Sequence, residues 1–210
     1  MDKTTRDEGS DEPSSFLMSC SGQISSGNFG EYDGLYCQYG FSKGPDWVPV
    51  AGVDKGISQI ARVNPLAAND GIVWNFPIDI TFKSTNVYGW PRIAISIYGL
   101  DFFGRDVPRG YGSALIPLVA GQHEVEVACY RPMASSWLNE WGAWFFGNPP
   151  EYIYQEFVCQ SEGRDVTRVK STGTIKLKIN VTTRGMNALG YDIKDAKEFK
   201  APVAPEVVVT

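Results

Sequence analysis

Between Trp74 and Gly112 the chain reads WNFPIDITFKSTNVYGWPRIAISIYGLDFFGRDVPRGYG, and this stretch constrains the fold more than any other. Ile78, Ile80 and Phe82 alternate with Asp79, Thr81 and Lys83, and further on Ile93, Ile95 and Ile97 alternate with Ala94, Ser96 and Tyr98. A side-chain period of two sends alternate residues to opposite faces of an extended chain, so both runs are predicted to be half-buried β-strands. Asn86, Gly89, Pro91, Gly99, Gly104, Pro108 and Gly110 lie between and after them, residue types that set turn dihedrals. Of these, Gly89, Gly99, Gly104 and Gly110 are expected to be structural turn residues needing positive φ or close backbone approach.

The same reading extends along the chain. Phe16 to Ile24, Leu35 to Phe41, Tyr111 to Leu118, Glu124 to Arg131, a weaker run from Gln155 to Ser161, and Thr172 to Thr183 are further strand candidates. Residues 42–69 carry Gly44, Pro45, Pro49, Gly52, Gly56 and Pro65 and are expected to form a long connection, with a short strand or turn around Gly56 to Val63. Short strands with frequent turn signals predict an all-β fold, an antiparallel β-sandwich of about eight strands. One segment departs from this period. Trp137, Leu138, Trp141, Trp144 and Phe145 recur at helical spacing, which predicts a short amphipathic helix inserted in the sandwich, started by Ser136 and ended by Gly147, Pro149 and Pro150. Such a helix either plugs one end of the sandwich or offers Trp137, Trp141, Trp144 and Phe145 to a partner or to lipid headgroups.

At 210 residues the chain suits one domain with tails. Residues 1–13 hold five acids against two bases and are expected to be disordered, residues 14–188 to form the domain, and residues 189–210 a mobile tail. The start lacks an apolar secretory core and no run reaches the roughly 20 apolar residues of a membrane span, so a cytoplasmic protein is expected. A formal net charge of −5 argues against nucleic acid as a partner.

Catalytic chemistry finds little support. His123 is the one histidine, and neither a GxSxG elbow, a GxGxxG fingerprint nor a phosphate loop is present. Cys20, Cys37, Cys129 and Cys159 are widely spaced without a CxxC pair and read as free, mostly buried thiols. Asp79, Asp101 and Asp106 resemble the start of a calcium loop, but Arg105 opposes a dication there, so Asp side chains capping turns are expected. No catalytic residue, metal ligand or cofactor is assigned. The organised charge is basic: Arg164, Arg168, Lys170, Lys176, Lys178 and Arg184 stand against Asp165 between Gly163 and Arg184. Either this is a solvated sheet face, or Arg168, Lys170, Lys176 and Lys178 contact an acidic partner or an anionic membrane, where each base adds about 1 kcal/mol.

Several long motifs carry a resemblance. GQISSGNFGEYDGLYCQYGF, GISQI, WNFPIDITFKSTNVYGWPRI, YGLDFFGRDVPRGYG, PEY, GRDVTRVKSTG and MNALGYD occur in order from about Gly22 to Asp192. Together they resemble the B9-domain proteins of the ciliary transition zone. The resemblance implies a C2-like β-sandwich acting as a structural subunit of the Meckel-syndrome complex at the cilium base and basal body. It implies two partners that are also B9-domain proteins, B9 domain-containing protein 2 and the Meckel syndrome type 1 protein, and a part in cilium biogenesis and the membrane diffusion barrier. The alternative is a peripheral phosphoinositide-targeting module working through the basic strand and the aromatic helix. The N-terminal extension and final tail fall outside the resemblance.

Overall fold

A computed structural model describes residues 14–30, 32–63, 71–132 and 169–191. They form nine strands: β1 (Phe16–Asn28), β2 (Leu35–Ser42), β3 (Val48–Gly52), β4 (Lys55–Ile57), β5 (Ile72–Ser84), β6 (Arg92–Leu100), β7 (Asp106–Leu115), β8 (Gly121–Pro132) and β9 (Val169–Arg184). A 3-10 turn, Asn187–Leu189, follows. Hydrogen bonding runs in the order β3-β5-β1-β9-β8-β7-β6-β2-β4. The joint between β8 and β7 is one residue pair, Tyr111 with Tyr130, so the sheet folds there into two antiparallel layers.

Alternation decides which side chains meet between the layers. Ile78, Ile80 and Phe82 of β5, Ile93, Ile95 and Ile97 of β6, and Ile175, Leu177, Ile179 and Val181 of β9 are all buried, while Asp79, Lys83, Lys176, Lys178 and Asn180 are exposed. Phe41 meets Phe82 edge to face at 5.6 Å, and Trp47 sits edge-on to Phe16, Phe82 and Trp90. Such aromatic pairs contribute about 1 kcal/mol each beyond the area they bury. Polar ring atoms in this core are satisfied: Trp74 Nε1 donates to the Leu35 carbonyl at 3.0 Å and Trp47 Nε1 to that of Tyr88 at 2.8 Å. At the end of β9, Met186 is buried, and Leu189 and Tyr191 pack against the same core, so ordered packing runs into the start of the segment expected to be a tail.

Residues 42–63 hold more regular structure than their prolines and glycines suggest. β3 pairs with β5 and β4 with β2, and two residues separate them, so the first and last strands of the sheet order are joined by a strap. Val53 N donates to Asp79 O in one layer at 3.0 Å, and Asp54 O accepts from Phe41 N in the other at 3.2 Å. Two consecutive residues thus fasten one layer to the other and leave only short edges open. Pro49 is compatible with β3 because that strand is an edge with a bulge between Pro49 and Ala51, where a missing N–H costs no ladder bond.

The four glycines expected at turns divide into two pairs. Gly89 and Gly104 do lie in turns with positive φ, +68° and +76°. Gly99 and Gly110, in contrast, are strand residues of β6 and β7 with ordinary φ. Space is what they supply: a β-carbon on Gly99 would come within 2.5 Å of Leu35 Cδ2, and one on Gly110 within 2.6 Å of Thr172 Oγ1. β7 accordingly begins at Asp106, earlier than the Tyr111 start expected, because a bulge between Ile97 and Tyr98 lets Pro108 and Gly110 stay in the ladder. The amphipathic helix over 136–147 and the strand candidate over 155–161 lie outside the described residues.

Candidate interaction surfaces

The basic strand has a clear setting. Lys176 and Lys178 share the solvent face of β9, but the β8 ladder places Glu126 opposite Lys176 and Glu124 opposite Lys178. Lys178 Nζ lies 3.4 Å from Glu124 Oε1. An acid across each base cancels the field that would draw an anionic surface, and both partners remain well solvated. Lys170 differs: its opposite residue is Arg131. Arg168, with Trp137, Trp141, Trp144 and Phe145, lies outside the described residues.

The acidic turn is self-contained. Asp101 Oδ1 accepts from the backbone N–H groups of Phe103 and Arg105 at 2.8 and 2.9 Å, while Oδ2 accepts from Arg105 Nε at 2.8 Å. Those bonds, led by the Arg105 backbone N–H, hold its carboxyl below the ordinary value. Asp101 thus caps its turn, as expected. Among the described residues no group of three or more His, Cys, Asp or Glu side chains could hold a metal ion. Burial pushes the thiols of Cys20 and Cys129 up to about 12 and that of Cys37 to about 11, so all three stay protonated and poor nucleophiles at neutral pH. His123 is half-buried in β8, its Nε2 2.8 Å from Val119 O.

What sequence patterning missed is the outer side of the strap and of the residues that follow it to Val63. Val48, Val50, Val53, Ile57, Ile60 and Val63 are all exposed, six of fifteen exposed large apolar side chains among the described residues and all within one segment. No period marked them, since β3 and β4 are too short to show alternation and both belong to sheet edges. A second cluster caps the β6–β7 turn, where Phe102 is 95% exposed and Phe103 60%. Arg105 lies over the Phe103 ring at 4.9 Å. Exposed aliphatic side chains gathered in one segment make it a candidate surface for contact with another molecule.

Residues 18–182 match the family described as ciliary basal body-associated B9 protein, B9-C2. This chain belongs to the B9 protein family. The B9 protein is 51% identical to mouse B9 domain-containing protein 1 over 180 residues, 86% of this chain and 88% of the relative. It is 47% identical to the human protein of that name over 196 residues, 92% and 96% of the two chains. Bovine B9 domain-containing protein 2 is 28% identical over 171 residues, 81% of this chain and 95% of the relative. Membership makes this a ciliary B9-domain protein. A C2 domain of plant extended synaptotagmin 1 superposes with a TM-score of 0.36 at 10% identity, covering 79% of this chain and 93% of that one, too loosely to add to the assignment. Among the described residues no helix is long and apolar enough to cross a membrane.

Proposed function

We propose that this B9 protein is a non-enzymatic structural subunit of the Meckel-syndrome complex at the ciliary transition zone. In that role it binds two other B9-domain proteins, B9 domain-containing protein 2 and the Meckel syndrome type 1 protein, and supports ciliogenesis and the ciliary membrane diffusion barrier. The observation that carries the reading is the exposed aliphatic strap over β3 and β4, with Val50 and Ile57 51% and 60% exposed. A surface of this kind suits a protein partner better than a charged lipid surface, because it offers dispersion and burial with few charges. The membrane-targeting alternative loses the contribution of Lys176 and Lys178, each of which faces a glutamate.

Co-expression of the full chain with each proposed partner tests this. The native chain is expected to co-purify with both, and a Val50→Asp, Ile57→Asp variant with an unchanged circular dichroism spectrum to lose at least one. Retention of both partners by that variant would remove the strap from the interface, whereas failure of the native chain to bind either would remove the assembly reading itself.

A further inference from the structure

The β6–β7 hairpin ends in a turn braced by its own hydrogen bonds. The ladder closes at Leu100 opposite Asp106, and residues 101–105 make the turn. Within it Asp101 N donates to Arg105 O at 2.9 Å and Gly104 N to Asp101 O at 3.1 Å. The Asp101 carboxylate takes the three further bonds already described, and Arg105 Nη2 adds a contact to Oδ2 at 2.7 Å. At the base of the turn, Arg109 Nη2 donates to Leu100 O at 2.9 Å. Gly104 supplies the positive φ, and nothing lies within 4 Å of its β-carbon position, so space is open on that side of the apex.

What this framework presents is apolar. Phe102 is 95% exposed, and Leu100 is exposed beside it. The Phe102 ring meets that of Phe103 edge to face at 5.6 Å, and Arg105 lies over the Phe103 ring at 4.9 Å. In this row of three, Phe102 is the member turned most fully to solvent. One phenylalanine offers roughly 150–250 Å² of surface for burial. Binding an aromatic side chain on a mobile loop loses much of that gain to ordering, whereas a turn already set in one conformation keeps it. A few buried aromatic anchors carry most of the energy of protein interfaces.

Shape and charge decide what the ring enters. A hairpin tip is convex and fits a concavity. Arg105 turns both Nε and Nη2 inward onto one Asp101 oxygen, and Arg109 is engaged by Leu100 O and the Tyr32 ring. With Asp106 exposed at the base of the turn, two acids balance two bases, and the tip carries no surplus positive charge to attract an anionic bilayer. A closed ion pair at the mouth of an apolar pocket leaves no bare charge to desolvate there.

We propose that the Phe102 tip is a docking anchor that enters an apolar pocket on a partner protein, with Asp101 and Arg105 as the brace that presets it. The choice of a B9-domain protein as that partner rests on the assembly reading. The tip and the strap share no residue, so the two contacts can be lost separately.

The test follows the full chain, with Phe102 replaced by 4-fluorophenylalanine, by fluorine NMR during titration with purified B9 domain-containing protein 2 and Meckel syndrome type 1 protein. With at least one of them the resonance is expected to move and broaden as the ring leaves water. Phe102→Ser is expected to keep the melting temperature and to weaken that partner by about tenfold to a hundredfold, the range for loss of a buried aromatic anchor. Asp101→Ala keeps both rings but removes the brace, and is expected to weaken it by a smaller factor. Tyr88→Ser, 79% exposed beyond the other end of β6, should leave binding unchanged. Partner binding with no change at position 102 overturns the tip and leaves the assembly reading standing, whereas failure of the native chain to bind either partner removes both. A resonance that moves instead with phosphatidylcholine and phosphatidylserine vesicles, or with the concentration of the chain alone, assigns lipid or a second copy and overturns the proposal as well.

Discussion

Gly89 and Gly44 meet backbone to backbone. Gly44 N donates to Gly89 O at 2.8 Å, and a β-carbon on Gly89 would collide with Gly44 Cα. The β2–β3 connection and the β5–β6 turn are locked together by that contact, so Gly89 is constrained both by its φ of +68° and by lack of space. Gly104 has a similar φ but nothing within 4 Å of its β-carbon position. Conformation alone costs about 1 kcal/mol, so Gly104→Ala is expected to lose about that much and Gly89→Ala roughly 3 kcal/mol. Urea unfolding of both variants checks the ordering, and equal losses would contradict it.

Lys178 and Glu124 give a second prediction. Charge reversal by Lys178→Glu sets two carboxylates opposite each other and is expected to cost about 0.5 kcal/mol at low salt, with the loss shrinking as salt rises. The exchanged pair, Lys178→Glu with Glu124→Lys, should regain the native melting temperature. If the double variant stays as unstable as the single one, the pair does not interact.

Asp101 sets a pH dependence. Its folded carboxyl titrates below the ordinary value of 3.8, first because of the Arg105 backbone N–H and also through the Arg105 side chain. A depressed carboxyl contributes order that is present above the unfolded value and is lost as pH falls through the lower folded one. The backbone amide resonances of Phe103 and Arg105 are therefore expected to shift together with a midpoint below 3.8, and Asp101→Asn to abolish that step. A midpoint at or above the ordinary value would contradict the turn geometry.

The buried thiols should be silent. With Cys20 and Cys129 pushed up to about 12 and Cys37 to about 11, thiolate is scarce and access is closed. A thiol reagent at mildly alkaline pH is expected to leave these three residues unmodified in the folded chain, by mass spectrometry of tryptic peptides, and to label them after denaturation. Fast native labelling at Cys129 would place it nearer the surface than its 1% exposure allows.

Legibility followed the length of each pattern. β5, β6 and β9 were readable as strands because six or more residues of strict alternation fit an extended chain, yet only β5 and β9 are half-buried: β6 is buried on both faces from Ile93 to Ile97, Ala94 and Ser96 included. β3 was not, because a five-residue edge strand carrying Pro49 and ending at Gly52 looks like a loop when its partner is unknown. Gly99 and Gly110 misled in the same way: composition signals a turn, yet the demand at each is the room needed by Leu35 or Thr172 from a distant segment. The candidate surfaces were the least readable. Lys176 and Lys178 share a face as their spacing implies, but only the β8–β9 register reveals the acids across from them.

From the sequence alone come the all-β class, the residues that face inward on the long strands and the family motifs, because a side-chain period of two is a local property of the chain. Tertiary structure alone decided how the sheet closes through Val53 and Asp54 and which charges are cancelled. These depend on pairing register between segments far apart in sequence, and a shift of one residue there would reverse every face and exchange every partner.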